Sequence, residues 1–347
     1  MTRGAGARLL LLACCLTLLT SCSFPGSVPE TVKVGLAAPF EGLYRDLGYE
    51  ALYAVRLAVR QANEAGGIGD GQLVEVVALN DLNDPRAASL QAGEMAVDPG
   101  ILGVVSGLSP RTAAAAAPEY EALGVPFVSP FSDPREIGRD AARLASTKLG
   151  ARSAAILYGK DGADLAVAEG FDEALAGLGG VVFVRAQPRE GSEIAGMLAG
   201  LGEAPDVVFL ASETSRSAEW IAALRGAEFG GFLLGGPEVG SGLTTEIAGA
   251  YADGVYFVSP FRPGVGDPDF REAYEALSGG VAPGGVAMWC FAAARELMDA
   301  MESALLDGTE PWRSGTAAAL NGVRFDEWAL DLYVIRGGEF LRVPEHQ

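Results

Sequence analysis

From residue 32 onward the chain repeats one unit: a short unbroken apolar run, a turn, and a helix-length segment with one apolar face. The apolar runs fall at 32–38, 73–79, 101–106 and 125–129, then at 154–158, 181–184, 207–211, 232–234 and 255–258. Most are consecutive Val, Ile, Leu and Ala rather than alternating apolar and polar residues. That is the pattern of strands buried on both faces of a parallel sheet. Between them, 49–64 sets Leu52, Val55, Val59 and Ala62 on one helical face and ends at Gly66 and Gly67. Asp84 before Pro85 is an acceptor cap followed by a residue already fixed at a helical φ, and Ser109 with Pro110 opens a helix over 111–123 in the same way. Strand–helix alternation requires right-handed crossovers. The rhythm therefore predicts an α/β chain with two Rossmann-like doubly wound arrays and parallel sheets, over 32–137 and 138–258. A Gly- and Pro-rich stretch at 262–268 follows. Helices are expected near 268–278 and 286–307, and a hairpin of 328–335 with 339–343 turns at Gly337 and Gly338.

The first residues read differently. Arg3 and Arg8 precede a short apolar run over 9–19, and Leu19-Thr20-Ser21-Cys22 follows. A basic start, a brief apolar stretch and small residues describe a secretory signal over 1–21 and not a membrane span. The ending resembles a bacterial lipobox, which implies lipidation of Cys22; a plain signal peptide with an incidental cysteine is the alternative. Each buried acyl methylene contributes about 0.8 kcal/mol, and stable anchoring takes two chains or more. Residues 22–31 then form the lipidated cysteine and a Pro- and Ser-containing tether. The expected location is extracytoplasmic, on a bacterial membrane held by the lipid anchor only. Cys14 and Cys15 leave with the signal, so Cys290 is the one thiol remaining; it forms no internal disulfide and offers no thiol metal site. The whole chain carries 25 basic and 45 acidic residues, a net charge of −20. Loss of Arg3 and Arg8 leaves 23 basic residues against 45 acidic, or −22. Such a surface repels nucleic acid.

Enzymatic chemistry has little to work with. The single histidine is His346, which leaves no Ser-His-Asp triad or His-rich metal site. No phosphate-binding GxxxxGK[ST] loop and no GxSxG elbow occurs. Residues 67–71, Gly-Ile-Gly-Asp-Gly, follow a helix and precede a strand, the reverse of a dinucleotide fingerprint, and read as a turn. Polar loops instead gather at the carboxyl ends of the strands: 39–48, 106–112, 129–134, 159–164, 211–215 and 235–242. Open α/β sheets bind ligands at that edge. Two lobes contributing three loops each make a cleft that excludes water on closing.

Five segments lie in order along the chain: Val32-Lys33-Val34-Gly35 with 39–42; Asn63-Glu64-Ala65-Gly66-Gly67-Ile68; Asn80-Asp81 with Asp84-Pro85; 124–130, Gly-Val-Pro-Phe-Val-Ser-Pro; and Gly236-Pro237-Glu238. On these the chain resembles type I periplasmic binding proteins, the leucine/isoleucine/valine-binding branch of ABC-transporter solute receptors. The resemblance implies one lobe of 32–137 with 262–322 and another of 138–261 with 323–347, joined by a multi-strand hinge. It implies Ser109, Arg111 and Thr112 at a ligand carboxylate, and Phe131 and Ser132 offering a carbonyl and a hydroxyl. Asp133 falls beside them, or caps the turn before Pro134. Glu238 matches the acid that holds a ligand ammonium. Three aromatic positions of the family depart here: the loop at 160–163 reads Lys-Asp-Gly-Ala, Glu213 stands near the usual Tyr, and Ala287 stands where an aromatic is expected, with Trp289 two residues on. Asp133, Glu213 and Glu238 together favour a ligand with extra positive charge. The implied protein is a monomeric, non-enzymatic solute-binding lipoprotein without cofactor or metal. It would capture an amino acid or similar small polar molecule and hand it to an ABC permease. A ligand sensor on the same fold, a scaffold that has lost its ligand, and a surface hydrolase using paired carboxylates are the alternatives.

Overall fold

The computed structural model describes residues 30–131, 133–262, 268–308, 312–320 and 329–344. Cys22 and the rest of the N-terminal segment through residue 29 lie outside them, as do Ser132 and His346. Four parallel strands, β1 (Thr31–Ala38), β2 (Leu73–Asn80), β3 (Ile101–Val105) and β4 (Phe127–Val128), form a first sheet in the order β2-β1-β3-β4. All of β3 is buried, as its unbroken apolar run requires. β4 is two residues long where five were expected. Pro126 and Pro130 flank it and bring no amide to a ladder, so only its centre pairs, at the sheet edge.

Helices cover both faces. α1 (Arg45–Glu64), α2 (Pro85–Val97) and α3 (Pro110–Leu123) connect these strands, and α9 (Pro268–Ser278), α10 (Gly285–Asp307) and α11 (Trp312–Leu320) return from much later in the chain. α1, α9 and α10 bury Leu36, Leu57, Leu102 and Leu297 on one face. α2 and α3 bury Met95, Val104 and Tyr120 on the other.

The second sheet runs β6-β5-β7-β8-β9-β10-β11. β5 (Ser153–Tyr158), β6 (Val181–Ala186), β7 (Val207–Ala211), β8 (Phe232–Gly235) and β9 (Tyr256–Ser259) are parallel. β10 (Asp331–Arg336) and β11 (Glu339–Arg342) form the expected hairpin, antiparallel to β9 and to each other. It begins at residue 331 rather than 328, and Trp328 is outside the described residues. α4 (Pro134–Lys148) and α5 (Gly162–Gly177) cover one face; α6 (Gly191–Ala199), α7 (Thr214–Gly226) and α8 (Gly242–Ala248) cover the other. Neighbouring residues of each strand divide between them: Ile156 and Phe209 face α4 and α5, while Leu157 and Leu210 face α7. α4 and α5 meet backbone to backbone. A Cβ on Gly138 would stand 2.0 Å from Val167 O, and one on Gly170 would stand 2.1 Å from Arg135 O.

Both sheets reverse their winding, the first between β1 and β3 and the second between β5 and β7. Ligands bind doubly wound sheets at the carboxyl ends of such switch points. β1–β4 belong to the first sheet, with α9 and α10 packed on it, and β5–β11 belong to the second. No helix among the described residues is long and apolar enough to cross a membrane.

Candidate functional site

The two sets of strand ends enclose a cavity of about 500 Å³. The first lobe contributes Tyr44 and Leu47, the α3 start at Ser109 and Pro110, Phe131, and the α10 start at Gly285 and Val286. The second contributes Thr214, Glu238, Ser241, Phe257 and Phe261. The walls carry more apolar than polar surface, with aromatic rings prominent; Phe131 and Phe261 meet edge to face, their ring centres 6.0 Å apart.

Beside the cavity, behind its Glu238 wall, Arg111 is the centre of a polar network. It leaves the first turn of α3 and crosses to the second lobe. Its Nη1 donates to Asp161 Oδ2 at 3.1 Å and its Nε to Glu238 Oε1 at 3.3 Å. Its side chain is 10% exposed and that of Glu238 is 11% exposed. A second crossing bond runs from Tyr44 OH to Glu213 Oε2 at 2.7 Å. Asp164, in the first turn of α5 and only 4% exposed, lies close enough to Arg111 for the two charges to interact. Gly159 makes room for it, since a Cβ there would fall 2.1 Å from Asp164 Oδ2.

One guanidinium thus serves Asp161, Asp164 and Glu238, with the charge of Glu213 near enough to act on the last two, and the charges do not balance. Burial pushes the Glu238 carboxyl up to about 8; Arg111 opposes that shift, and Asp164 and Glu213 add to it. Asp164 is pushed up to about 7 by burial, again against Arg111. Burial works against the charge on Arg111 too, but Glu238, Asp161 and Asp164 outweigh it and raise its pKa. Burial and the neighbouring Glu213 push the Tyr44 phenol up to about 12. In a low-dielectric site with excess acid, neutral carboxyls are favoured.

The residues singled out in the sequence separate into groups. Arg111 and Glu238 come together, but with each other. Ser109 and Thr112 close a capping box: Ser109 N donates to Thr112 Oγ1 at 3.2 Å, and Thr112 N donates to Ser109 Oγ at 3.4 Å. Glu213 caps α7 through the amides of Ser215 and Arg216, at 2.9 and 3.0 Å. Phe131 is a cavity wall. Asp133 is not among the walls; it caps α4 by accepting from Arg135 N at 2.8 Å, the expected alternative to a ligand contact. Trp289 is also not a wall. It is 1% exposed in the first lobe's core, because it shares the helical face of Val286, Ala287, Cys290 and Ala293. Cys290 is buried beside it as a free thiol, its pKa raised well above the ordinary value by burial.

Four residues of the site were not singled out: Tyr44, Glu50, Asp161 and Asp164. Asp161 and Asp164 stand in the 159–164 loop already marked as polar, so composition carried a trace of them. Glu50 carried none, since it lies within a helix. Its Oε1 accepts from Ala287 N at 2.8 Å and caps α10, and burial raises its carboxyl above the ordinary value. Loss of a helix cap costs about 1 kcal/mol, with a range of roughly 0.5–2. Glu50→Ala should therefore lower stability by about that much in a urea titration, and Glu50→Gln, which keeps an acceptor oxygen, by less.

The family model described as periplasmic binding protein matches residues 31–342. A leucine-, isoleucine-, valine-, threonine- and alanine-binding protein from Pseudomonas aeruginosa is 30% identical over 121 residues, which are 35% of this chain and 32% of that protein. The match thus spans about a third of that relative's length. Among solved structures, a leucine-binding protein from Thermotoga maritima superposes with a TM-score of 0.75 at 20% identity, covering 89% of this chain and 97% of that one. A branched-chain amino acid substrate-binding protein from Streptococcus pneumoniae, solved in complex with isoleucine, gives a TM-score of 0.72 at 18% identity over 90% and 98% of the two chains. These structures share the fold: two α/β lobes of the type I kind. With the family model matched along nearly all of the described residues, this chain belongs to the periplasmic binding proteins.

Proposed function

We propose that this protein is an extracytoplasmic solute receptor that captures an amino acid or similar small polar molecule between its lobes without transforming it. It passes that molecule to the permease of an ABC transporter. The observation that carries this reading is the cavity at the two switch points, closed over by direct bonds from Arg111 and Tyr44 of one lobe to Asp161, Glu238 and Glu213 of the other. A site built this way has open and closed forms, and a ligand that touches both lobes selects the closed one. The division into 32–137 with 262–322 and 138–261 with 323–347 belongs to the same reading. So do cleavage before Cys22, lipidation of that cysteine as the only membrane attachment, and action as a monomer. Each lobe surface is then free to meet the permease.

Thermal melting against a panel of amino acids, amides and polyamines tests it. A ligand present at 100 times its dissociation constant stabilises the folded form by about 2.7 kcal/mol. The expected result is a clear rise in Tm for at least one member, reduced in Glu238→Ala. A flat panel, with no ligand bound in a parallel equilibrium dialysis, contradicts the reading.

A further inference from the structure

Four helices begin at the wall of the cavity, and each already has first-turn amides taken by the protein's own side chains. Ser109 and Thr112 close the start of α3, and Glu213 closes that of α7. Ser241 Oγ accepts from Leu243 N at 3.3 Å at the start of α8. Glu50 accepts from Ala287 N at the start of α10. Helix starts are the seats a fold of this kind offers to a carboxylate, and here each already has at least one such amide taken.

The side chains of the wall point the same way. No Lys, Arg or His is among the described residues that wall the cavity, whereas Asp46, Glu50, Glu238 and Glu246 are. Asp46 and Glu246 are exposed, at the rim; Glu238 is deep. Arg111 holds only Oε1 of Glu238, and no hydrogen bond among the described residues goes to Oε2. Five rings, those of Tyr44, Phe131, Phe257, Phe261 and Phe340, complete the enclosure. Aromatic faces attract cations as well as apolar groups. The volume falls within the range of pockets that enclose drug-sized molecules.

From this arrangement we infer that the cavity is selective for an organic amine with an apolar body and no carboxylate, over a zwitterionic amino acid. The ammonium pairs with Glu238 on the side away from Arg111, and the body lies among the rings. Asp46 and Glu246 at the rim favour a cation entering from solvent. A carboxylate on the same body meets four acids and closed helix ends, and stays unpaired in a desolvated site. The inference deepens the solute-receptor reading and rests on it.

Three probes sharing one phenethyl body test it on the full protein by titration calorimetry: phenethylamine, L-phenylalanine and 3-phenylpropionate. Phenethylamine should bind at least about tenfold more tightly than L-phenylalanine, and 3-phenylpropionate should not bind. Glu238→Gln should weaken phenethylamine binding by about tenfold or more. The milder rim substitution Glu246→Gln should weaken it by a smaller factor, chiefly through the association rate measured at low salt. Tighter binding of L-phenylalanine or 3-phenylpropionate than of the amine overturns the inference while leaving solute capture intact. Silence of all three probes overturns it as well; the amino-acid panel above then decides whether solute capture itself survives.

Discussion

Arg111→Ala should open the two lobes of the ligand-free protein at pH 8, and should do so far less at pH 5. Removing one partner of a buried ion pair costs about 3–5 kcal/mol, because the other charge is left without compensation. Here the lobes escape that cost by separating, so the loss appears as a shift of more than about a hundredfold from closed to open. The pH dependence follows from two of the carboxyls around Arg111, Asp164 and Glu238. Glu238 and Asp164 are held at about 8 and about 7, above their ordinary values. A carboxyl raised in this way favours the closed form fully below its ordinary pKa, and that contribution is lost as pH rises through the raised value. At pH 5 both groups are neutral and need the guanidinium least. At pH 8 Asp164 is mostly ionised and Glu238 about half so, and Arg111 is the cation that holds them. Radius of gyration from X-ray scattering, or a spin-label distance between the lobes, reads the effect directly. An unchanged inter-lobe distance at pH 8 would refute this account of closure.

Gly138→Ala should destabilise the second lobe strongly, by about 3 kcal/mol or more, and Gly170→Ala should do the same. Overpacking a tight interior contact typically costs about 1–3 kcal/mol. The cost at Gly138 is at the upper end because the atoms met are backbone: Val167 O at 2.0 Å and Phe171 N at 2.6 Å. Neither yields by a rotamer change, so α4 and α5 must move apart along their whole contact. That also loosens Phe171 against Phe209, stacked with centres 4.2 Å apart. Far-ultraviolet circular dichroism through a denaturant series checks the magnitude. Gly177→Ala, with nothing within 4 Å of its new methyl group and a helical setting, is the control and should be near neutral.

The unequal reach of the sequence has physical causes. Every strand run read from it became a strand; the central ones, such as β3 and β7, are buried on both faces and must be apolar throughout, and that pattern is local. Helix starts at Asp84 and Ser109 were equally local, a capping oxygen followed by proline, and the structure has both caps. The site is another matter. Arg111 meets residues 50 and 127 positions away, and nothing near Arg111 in the chain marks those partners. The family pattern directed Arg111 to a ligand carboxylate and Glu238 to a ligand ammonium; the fold lets the two residues satisfy each other. Trp289 illustrates the opposite error. The apolar spacing of Val286, Ala287, Cys290, Ala293 and Ala294 already marked its side of α10 as interior, and that signal outweighed the search for a replacement aromatic. For Asp133 the cap before Pro134 is one of the two expected roles, and the structure has it; Glu213 is not among the usual capping residues, and only the structure shows it as the cap of α7.

The order in which the lobes acquire their parts has a consequence in time. As the chain is made, β1 to β4 emerge first, but α9 and α10, which close over Leu36 and Leu102, follow only after residue 268. The second sheet waits longer still, since β10 and β11 come from residues 331–342. Domains ordinarily fold as units while synthesis proceeds. Here the first unit is complete only once α10 has emerged, and the second only once β11 has. The growing chain therefore cannot settle into either finished lobe before these late segments arrive, and its early strands stay without their full cover until then.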